Sequence, residues 1–340
     1  APRVALAHGL DLVRPVPLTM RWLALRVGQA LLTALLALAL LFFVMRLVPG
    51  DPLASLDDER IMAPEQVEAL RVRYGLDQPP ARQFALFLQG AVRGDLGTSY
   101  QYGRPVGQLV RERLPATLLL GGTALLVTFT LGLWLGVVQA RRRGRAADHA
   151  LTVASLAAHA MPAFWLGLML ALLLGVKLRW LPVAGMSDPA LVDAASGARL
   201  VDWARHLVLP VTTLALVSVA AAMRYQRTAM IEALAQPYVQ AARARGLTER
   251  AVIWRHAWRN ALFPVLTLFG LWLPIVVVGS VFVEQVFAWP GIGSLAAGAA
   301  SARDYPLLMA TSVLATFAVV LGGLVTDLAH MALDPRLRRP

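Results

Sequence analysis

Along most of this chain the hydrophobic positions neither alternate nor recur at helical spacing; they fill whole stretches. Residues 27–45, 117–139, 151–174, 207–223, 261–282 and 307–326 are apolar runs free of Asp, Glu, Lys and Arg. At about 1.5 Å per helical residue, each covers or nearly covers a hydrocarbon layer about 30 Å thick. The pattern predicts an all-α, polytopic membrane protein with six transmembrane helices. The fourth run is the shortest, so Arg224 and Arg227 at its end are expected to snorkel toward the headgroups.

Between the runs, polar and turn-forming residues outline the rest. "PGDP" punctuates the exit from the first run, and residues 49–115 then form a loop too long for a simple connection. Within it "PEQVEALRVRYGL" spaces Val67, Leu70 and Tyr74 as one apolar face, with Pro64 at the start and Gly75 near the end. "ARQFALFLQGAVRGDLGTS" supplies a second such face. The expected organisation is an N-terminal segment 1–26, a first span 27–48, and a helical outer loop 49–115. A core of five further spans follows at 116–330, interrupted by a polar loop at 226–260, and then a tail at 331–340. Two shorter outer loops contain "GMSDPALVDAASG" and "WPGIG". The first twenty residues lack the apolar centre of a secretory signal, so no cleaved leader is expected.

Composition agrees with a membrane chain: 58% of the 340 residues are hydrophobic and only 15% charged. Charge then orients it. With an even number of spans, both termini share a side, and that side carries 18 of the 32 Lys and Arg but only 6 of the 20 Asp and Glu. The opposite side is balanced, so the net charge of +12 sits on one face, which positive-inside counting makes cytoplasmic. The expected location is a bacterial or archaeal cytoplasmic membrane with both termini inside. Only Lys177 among the basic residues is lysine, and the arginines cluster at span ends, where anchoring to lipid explains them without nucleic acid. With no cysteine, neither a disulfide framework nor a Cys metal site is expected.

Candidate chemistry is sparse. No GxxxxGK[ST] run occurs, so the chain has no P-loop for nucleotide phosphates. "GIGSLA" fits GxGxxA but no strand precedes it, and a turn that re-aims the chain explains it. "GMSD" places Ser187 in a loop carrying Pro and Asp, where a protease nucleophile at a buried helix start is not expected. The six histidines form no HExxH pair. His159, inside the third run, is the one titratable group deep in a span; it is either a pathway residue or a neutral imidazole bonded to a backbone carbonyl.

The loop at 226–260 is the most informative polar segment: "QPYVQAARARGLTERAVIWRHAWRNALFPVL". Pro237 at a first-turn position and Gly246 just past the end bracket a short helix about 13 Å long. Arg243 and Arg245 occupy its last turn, where they complement the dipole. Ala241, Ala242 and Ala244 leave a low surface that permits close approach. A second helix begins after Gly246 with Thr248 as its N-cap, and Ala251, Trp254, Trp258 and Leu262 are expected to form its apolar stripe, lying in the inner interface. A short helix projecting into the cytoplasm with a close-contact face suggests a protein partner.

This stretch resembles the cytoplasmic EAA loop of ABC importer permeases, in the form seen in the dipeptide, oligopeptide and nickel transporter group. "VPGDP", "GDLGTS", "RLPATLLL", "GSVFVEQVFAWPGIG", "RDYPLL" and "LDPRLR" are similar to the same group and extend the likeness over most of the chain. The resemblance implies a permease subunit forming half of a translocation pathway and binding no cofactor. Its implied partners are a homologous permease subunit, two cytoplasmic ATPase subunits carrying ATP and Mg, an extracytoplasmic solute-binding protein and membrane lipid. It also implies an ATPase-coupling element at Pro237, Tyr238, Gln240, Ala241, Ala242, Arg243, Ala244, Arg245, Gly246, Leu247, Thr248 and Glu249. Gln240 stands where the motif has its Glu, so no charged contact is assigned to it. Di- or oligopeptides are the first expected solute, nickel or another small solute the second. Two other classes make different demands: a secondary transporter needs broken helices and intramembrane charges, and an intramembrane protease needs Ser187 beside a His.

Overall fold

The computed structural model describes residues 20–47, 64–191 and 194–333. Much of the N-terminal segment, the "PGDP" exit and most of the C-terminal tail lie outside them. Besides a single 3-10 turn at Pro189–Leu191, thirteen helices are defined among the described residues: α1 (Met20–Leu47), α2 (Pro64–Arg73), α3 (Pro80–Val92), α4 (Val106–Arg141), α5 (Ala146–Ala160), α6 (Ala163–Lys177), α7 (Ser196–Leu234), α8 (Pro237–Ala244), α9 (249–261), α10 (Phe263–Val278), α11 (Val281–Val286), α12 (Ile292–Ser301) and α13 (Tyr305–Leu333). α1, α4, α7, the α10–α11 unit and α13 are long and apolar enough to cross a membrane. The pair α5–α6 makes a sixth crossing when its halves are taken together, and they meet at 101°.

The expected span over 151–174 is therefore two helices joined at a sharp bend. Pro162 cannot donate to a helical carbonyl and bars its predecessor from helical geometry; Met161 accordingly sits extended at φ −79° and ψ 133°.

α4 and α7 lie side by side over most of their lengths, and α10 pairs with α13. Without a hydrophobic force between helices in lipid, such pairs depend on close backbone approach. At Gly136 of α4 an added Cβ would stand 2.7 Å from both Gln226 Cβ and Met223 O of α7, so only glycine fits. α1 packs on α13 at the edge of the bundle and turns Leu31, Leu36 and Leu40 outward, as a lipid-facing helix does.

At one end α2 and α3 cover the bundle. Val67 and Leu70 of α2, with Tyr74 just past its end, pack with the buried Tyr100 and Tyr305. Arg46, near the end of α1, lies 5.2 Å from the Phe42 and Tyr305 ring centroids and bonds Gln83 of α3. Buried Asp304 accepts from Ser99 Oγ and, at 3.1 Å, from the Gln101 amide; through Leu307 N–H at 3.2 Å it also caps α13. At the other end Arg26 of α1 pairs with Asp327 of α13 at 3.6 Å.

Candidate functional site: the α8–α9 loop

α4 and α7 have 36 and 39 residues, near 54 and 59 Å at about 1.5 Å each, so both overreach a hydrocarbon core. The α8–α9 loop is built on their shared end. Val137 and Ala140 of α4, Ala229, Met230 and Ala233 of α7, Val239 and Ala242 of α8, and Val252, Ile253, Ala257 and Ala261 of α9 form one buried cluster.

The local geometry follows from the residues. Gln236 is extended and Pro237 opens α8 with its preset φ. The helix closes in a Schellman turn: Leu247 N–H donates to Ala242 O at 3.4 Å and Gly246 N–H to Arg243 O at 2.9 Å. The turn requires the left-handed φ of +80° at Gly246. Thr248 is then the N-cap of α9, its Oγ1 accepting from Ala251 N–H at 3.4 Å. Across the turn Arg243 Nε donates to Glu249 Oε1 at 2.7 Å. Asn260 Nδ2 donates to the Tyr238 hydroxyl at 2.7 Å and ties the start of α8 to the end of α9.

Two sequence-based expectations change here. Ala242 does not belong to the outward surface: it is fully buried, one turn from Val239, and its small size lets α8 sit down on the cluster. The open surface of the loop consists of Pro237, Tyr238, Gln240, Ala241, Arg243, Ala244, Arg245, Gly246, Leu247, Thr248 and Glu249. Gln240 Nε2 donates to Ala235 O at 3.3 Å and holds no charge partner. In α9 the inward face is Val252, Ile253, Ala257 and Ala261 with the half-buried Trp258 packed against them, instead of a stripe of Ala251, Trp254, Trp258 and Leu262. Residues 252–257 are π-helical, and this wider turn rotates the register away from the 3.6-residue repeat. Trp254 is left exposed, with its ring 5.2 Å from that of Trp258.

Arg227, at the end of the fourth apolar run, holds Asp148 with two hydrogen bonds, Nε to Oδ1 at 2.9 Å and an NH2 nitrogen to Oδ2 at 2.7 Å. Asp148 also accepts from Gly144 N–H at 3.0 Å, so the turn between α4 and α5 is tied to α7. Asp148 is missing from the sequence-based candidates; its signal was one acid three residues past "RRRGR". His159 Nδ1 lies 2.8 Å from Val217 O, so its N–H donates to the backbone of α7.

A second polar knot forms at the far end of the bundle. Glu284 of α11 is fully buried. Its Oε2 accepts from Ser294 N–H at 2.8 Å, capping α12 from outside, and its Oε1 accepts from Thr117 of α4 at 3.3 Å. Thr117 in turn accepts from Ile292 N–H at 2.7 Å, and Trp289 Nε1 donates to Ala116 O at 2.9 Å. "GIGS" is thus a turn around a buried carboxylate, with no nucleotide chemistry. Ser187 lines a pocket with Asp202 and His206. His206 Nδ1 is 3.1 Å from Asp202 Oδ1, yet no hydrogen bond joins Ser187 to His206 among the described residues, so the nucleophile–base contact of a protease is not made.

Five membrane-length apolar helices, a bent α5–α6 pair able to make a sixth crossing, and a short helix seated on the overhanging ends of α4 and α7 make this a multi-pass membrane protein. Residues 129–339 match the family described as binding-protein-dependent transport system inner membrane component, and residues 19–121 match the N-terminal model of such membrane components. The chain belongs to this family of inner-membrane permeases. It is 38% identical to the oligopeptide transport system permease protein AppB of Bacillus subtilis, over 87% of this chain and 92% of that protein. It is also 38% identical to the di/tripeptide transport system permease protein DppB of Pseudomonas aeruginosa, over 93% and 98%. A putative peptide permease protein of Brucella ovis shows 38% identity over 89% and 95%.

Proposed function

We propose that the chain is the permease half of an ATP-driven peptide importer, with the α8–α9 loop receiving motion from a cytoplasmic ATPase. The observation that carries this is the seating of α8. Its buried side is locked to the ends of α4 and α7 through Val239 and Ala242, while Tyr238, Ala241, Arg245 and Leu247 remain open. A push on the open side is therefore delivered to the two longest helices of the bundle. Moving a pathway from 1:99 to 99:1 takes about 5.5 kcal/mol, which a helix riding on a loose connector would not transmit.

The partners are a homologous permease, two ATPase subunits that bind ATP and Mg, and a solute-binding protein that docks opposite them. The peptide substrate follows the names of the relatives, which are oligopeptide and di/tripeptide permeases. With the loop cytoplasmic, α2, α3 and the Glu284 knot lie on the binding-protein side. His159 is a tie between α5 and α7 in this reading, given its bond to Val217 O. The test is uptake of labelled di- and oligopeptides by cells lacking their own peptide importers and supplied with this permease, its partner subunits and its binding protein. Peptide uptake that stops when ATP is depleted supports the reading. Uptake driven by an ion gradient alone overturns it.

A further inference from the structure

Residues 249–261 carry more positive charge than the seating of α9 uses. Arg250, Arg255 and Arg259 are exposed and have no hydrogen bond or ion pair among the described residues. The one carboxylate in the stretch, Glu249, is occupied by Arg243 at 2.7 Å. Arg255 and Arg259, four apart, form one outward ridge; beside it the exposed Trp254 lies with its ring centroid 5.2 Å from that of Trp258, which is half-buried against the core of the loop. Arg250, Trp254 and Arg255 border a shallow cleft of about 410 Å³ with Thr248 and Ala251. The opposite flank is engaged with α8 through Asn260 and Tyr238. α9 runs through Leu262 into α10, a membrane-crossing helix, so Trp258 stands only about 7 Å along the axis from its first residue.

We propose that this face of α9 binds acidic phospholipids of the cytoplasmic leaflet, with a phosphodiester headgroup in the cleft between Arg250 and Arg255 and Trp254, backed by the half-buried Trp258, against the upper acyl carbons. Unpaired guanidiniums favour a phosphate oxygen, which they grip with two N–H donors, and tryptophan pairs an apolar body with one polar tip at headgroup depth. A zwitterionic headgroup offers the same phosphate but cancels its charge, so the preference is for anionic lipid. Lipid thereby holds the second half of the coupling loop while the first half meets the ATPase. The inference rests on the cytoplasmic placement of the loop proposed above, but its test does not depend on transport.

The full chain is placed in vesicles of phosphatidylcholine containing either brominated phosphatidylglycerol or brominated phosphatidylcholine, and tryptophan emission is recorded. Subtracting the Trp254→Phe/Trp258→Phe variant isolates this pair from the nine tryptophans of the chain. The expected result is half-maximal quenching at an at least fivefold lower fraction of brominated phosphatidylglycerol than of phosphatidylcholine. In Arg250→Gln/Arg255→Gln/Arg259→Gln the difference should shrink to within twofold, since each cation near an acidic leaflet adds several-fold to the attraction. Equal quenching by the two lipids, or a preference that survives the triple substitution, overturns the proposal. So does quenching that disappears when the ATPase subunits are added, because the face is then a protein contact. Failure of peptide uptake with the lipid preference intact would count against the transport reading alone.

Discussion

Arg227 grips Asp148 with both donors of one guanidinium edge, at 2.9 and 2.7 Å, and in doing so fastens the first turn of α5 to α7. The partners are unequally placed: the Asp148 side chain is 3% exposed and that of Arg227 30%. Removing the arginine strands a buried carboxylate, a change that costs about 3–5 kcal/mol in comparable pairs. Removing the carboxylate leaves an arginine that can turn to water. Arg227→Met should therefore lower the thermal unfolding midpoint of the detergent-purified chain more than Asp148→Asn, and Asp148→Leu added to Arg227→Met should restore most of the loss. Equal losses, or no recovery in the double variant, would show that the pair does not restrain these helices.

Gly246 is the pivot of the α8–α9 turn, and its φ of +80° is disfavoured for side chains with a Cβ by about 1–2 kcal/mol. No neighbouring atom lies within 4 Å of a Cβ placed there, so the penalty is conformational and not steric. Gly246→Asn, which tolerates left-handed geometry, should retain most transport. Gly246→Val should insert normally but hydrolyse ATP without moving peptide, or lose its ATPases on purification. Uptake assays beside ATPase assays separate the cases, and wild-type coupling in the Val variant would remove Gly246 from the mechanism.

Neighbouring alanines should fail in different ways. Ala242 is buried among Val239, Val252 and Met230, so Ala242→Glu forces a charge into that cluster and should lower the yield of folded chain before any docking is tested. Ala241 is exposed; Ala241→Glu should leave abundance and thermal stability unchanged while weakening ATPase association. Gel filtration of the purified complex reads both effects, and equal loss of folded protein in the two variants would contradict the inward and outward assignment.

The contrast between these residues also marks what the sequence could reveal. Charge-free runs marked the five membrane-length helices and the bent α5–α6 pair because lipid leaves few alternatives to an apolar helix. Pro237, Gly246 and Thr248 were legible because each has one strong backbone preference. The face of α9 was not, since a π-helical turn shifts the register and no residue type signals it. Ala242 could not be told from Ala241 by composition; only the packing of α8 on α4 and α7 separates them. The ties of Asp148 to Arg227 and of Glu284 to Thr117 join residues 79 and 167 positions apart, beyond the reach of local pattern. The 101° bend at Pro162 was not read from the sequence, because an apolar run on both sides made 151–174 look like one span.

Glu284 is the only carboxylate capping α12 from another helix among the described residues, and its oxygens satisfy Ser294 N–H and Thr117 Oγ1 at once. Glu284→Ala would leave these donors buried without an acceptor, at about 1–3 kcal/mol each, and empty the space enclosed by residues 291–294. Glu284→Gln keeps the volume and one acceptor and should be milder. The Ala variant is expected to bind its ATPases normally but to lose stimulation of hydrolysis by the solute-binding protein. Normal stimulation in Glu284→Ala would mean that this knot has no part in the outer surface.

Orientation underlies the docking assignments and can be checked directly, because the chain has no cysteine of its own. Ala241 and Ala190 are both exposed and stand on opposite sides of the expected topology. The concentration of the +12 net charge on the side of residue 241 favours retention of that side in the cytoplasm. In Ala241→Cys, a membrane-impermeant maleimide should label the chain only after the cytoplasmic membrane is opened. In Ala190→Cys, with the outer envelope made permeable, the same reagent should label it in intact cells. Each substitution replaces one small exposed side chain by another, so transport should survive and confirm that the labelled protein is native. Labelling of residue 241 from outside would invert the topology, put α8 beyond the reach of any cytoplasmic ATPase, and transfer the docking role to the face that bears α2, α3 and Glu284.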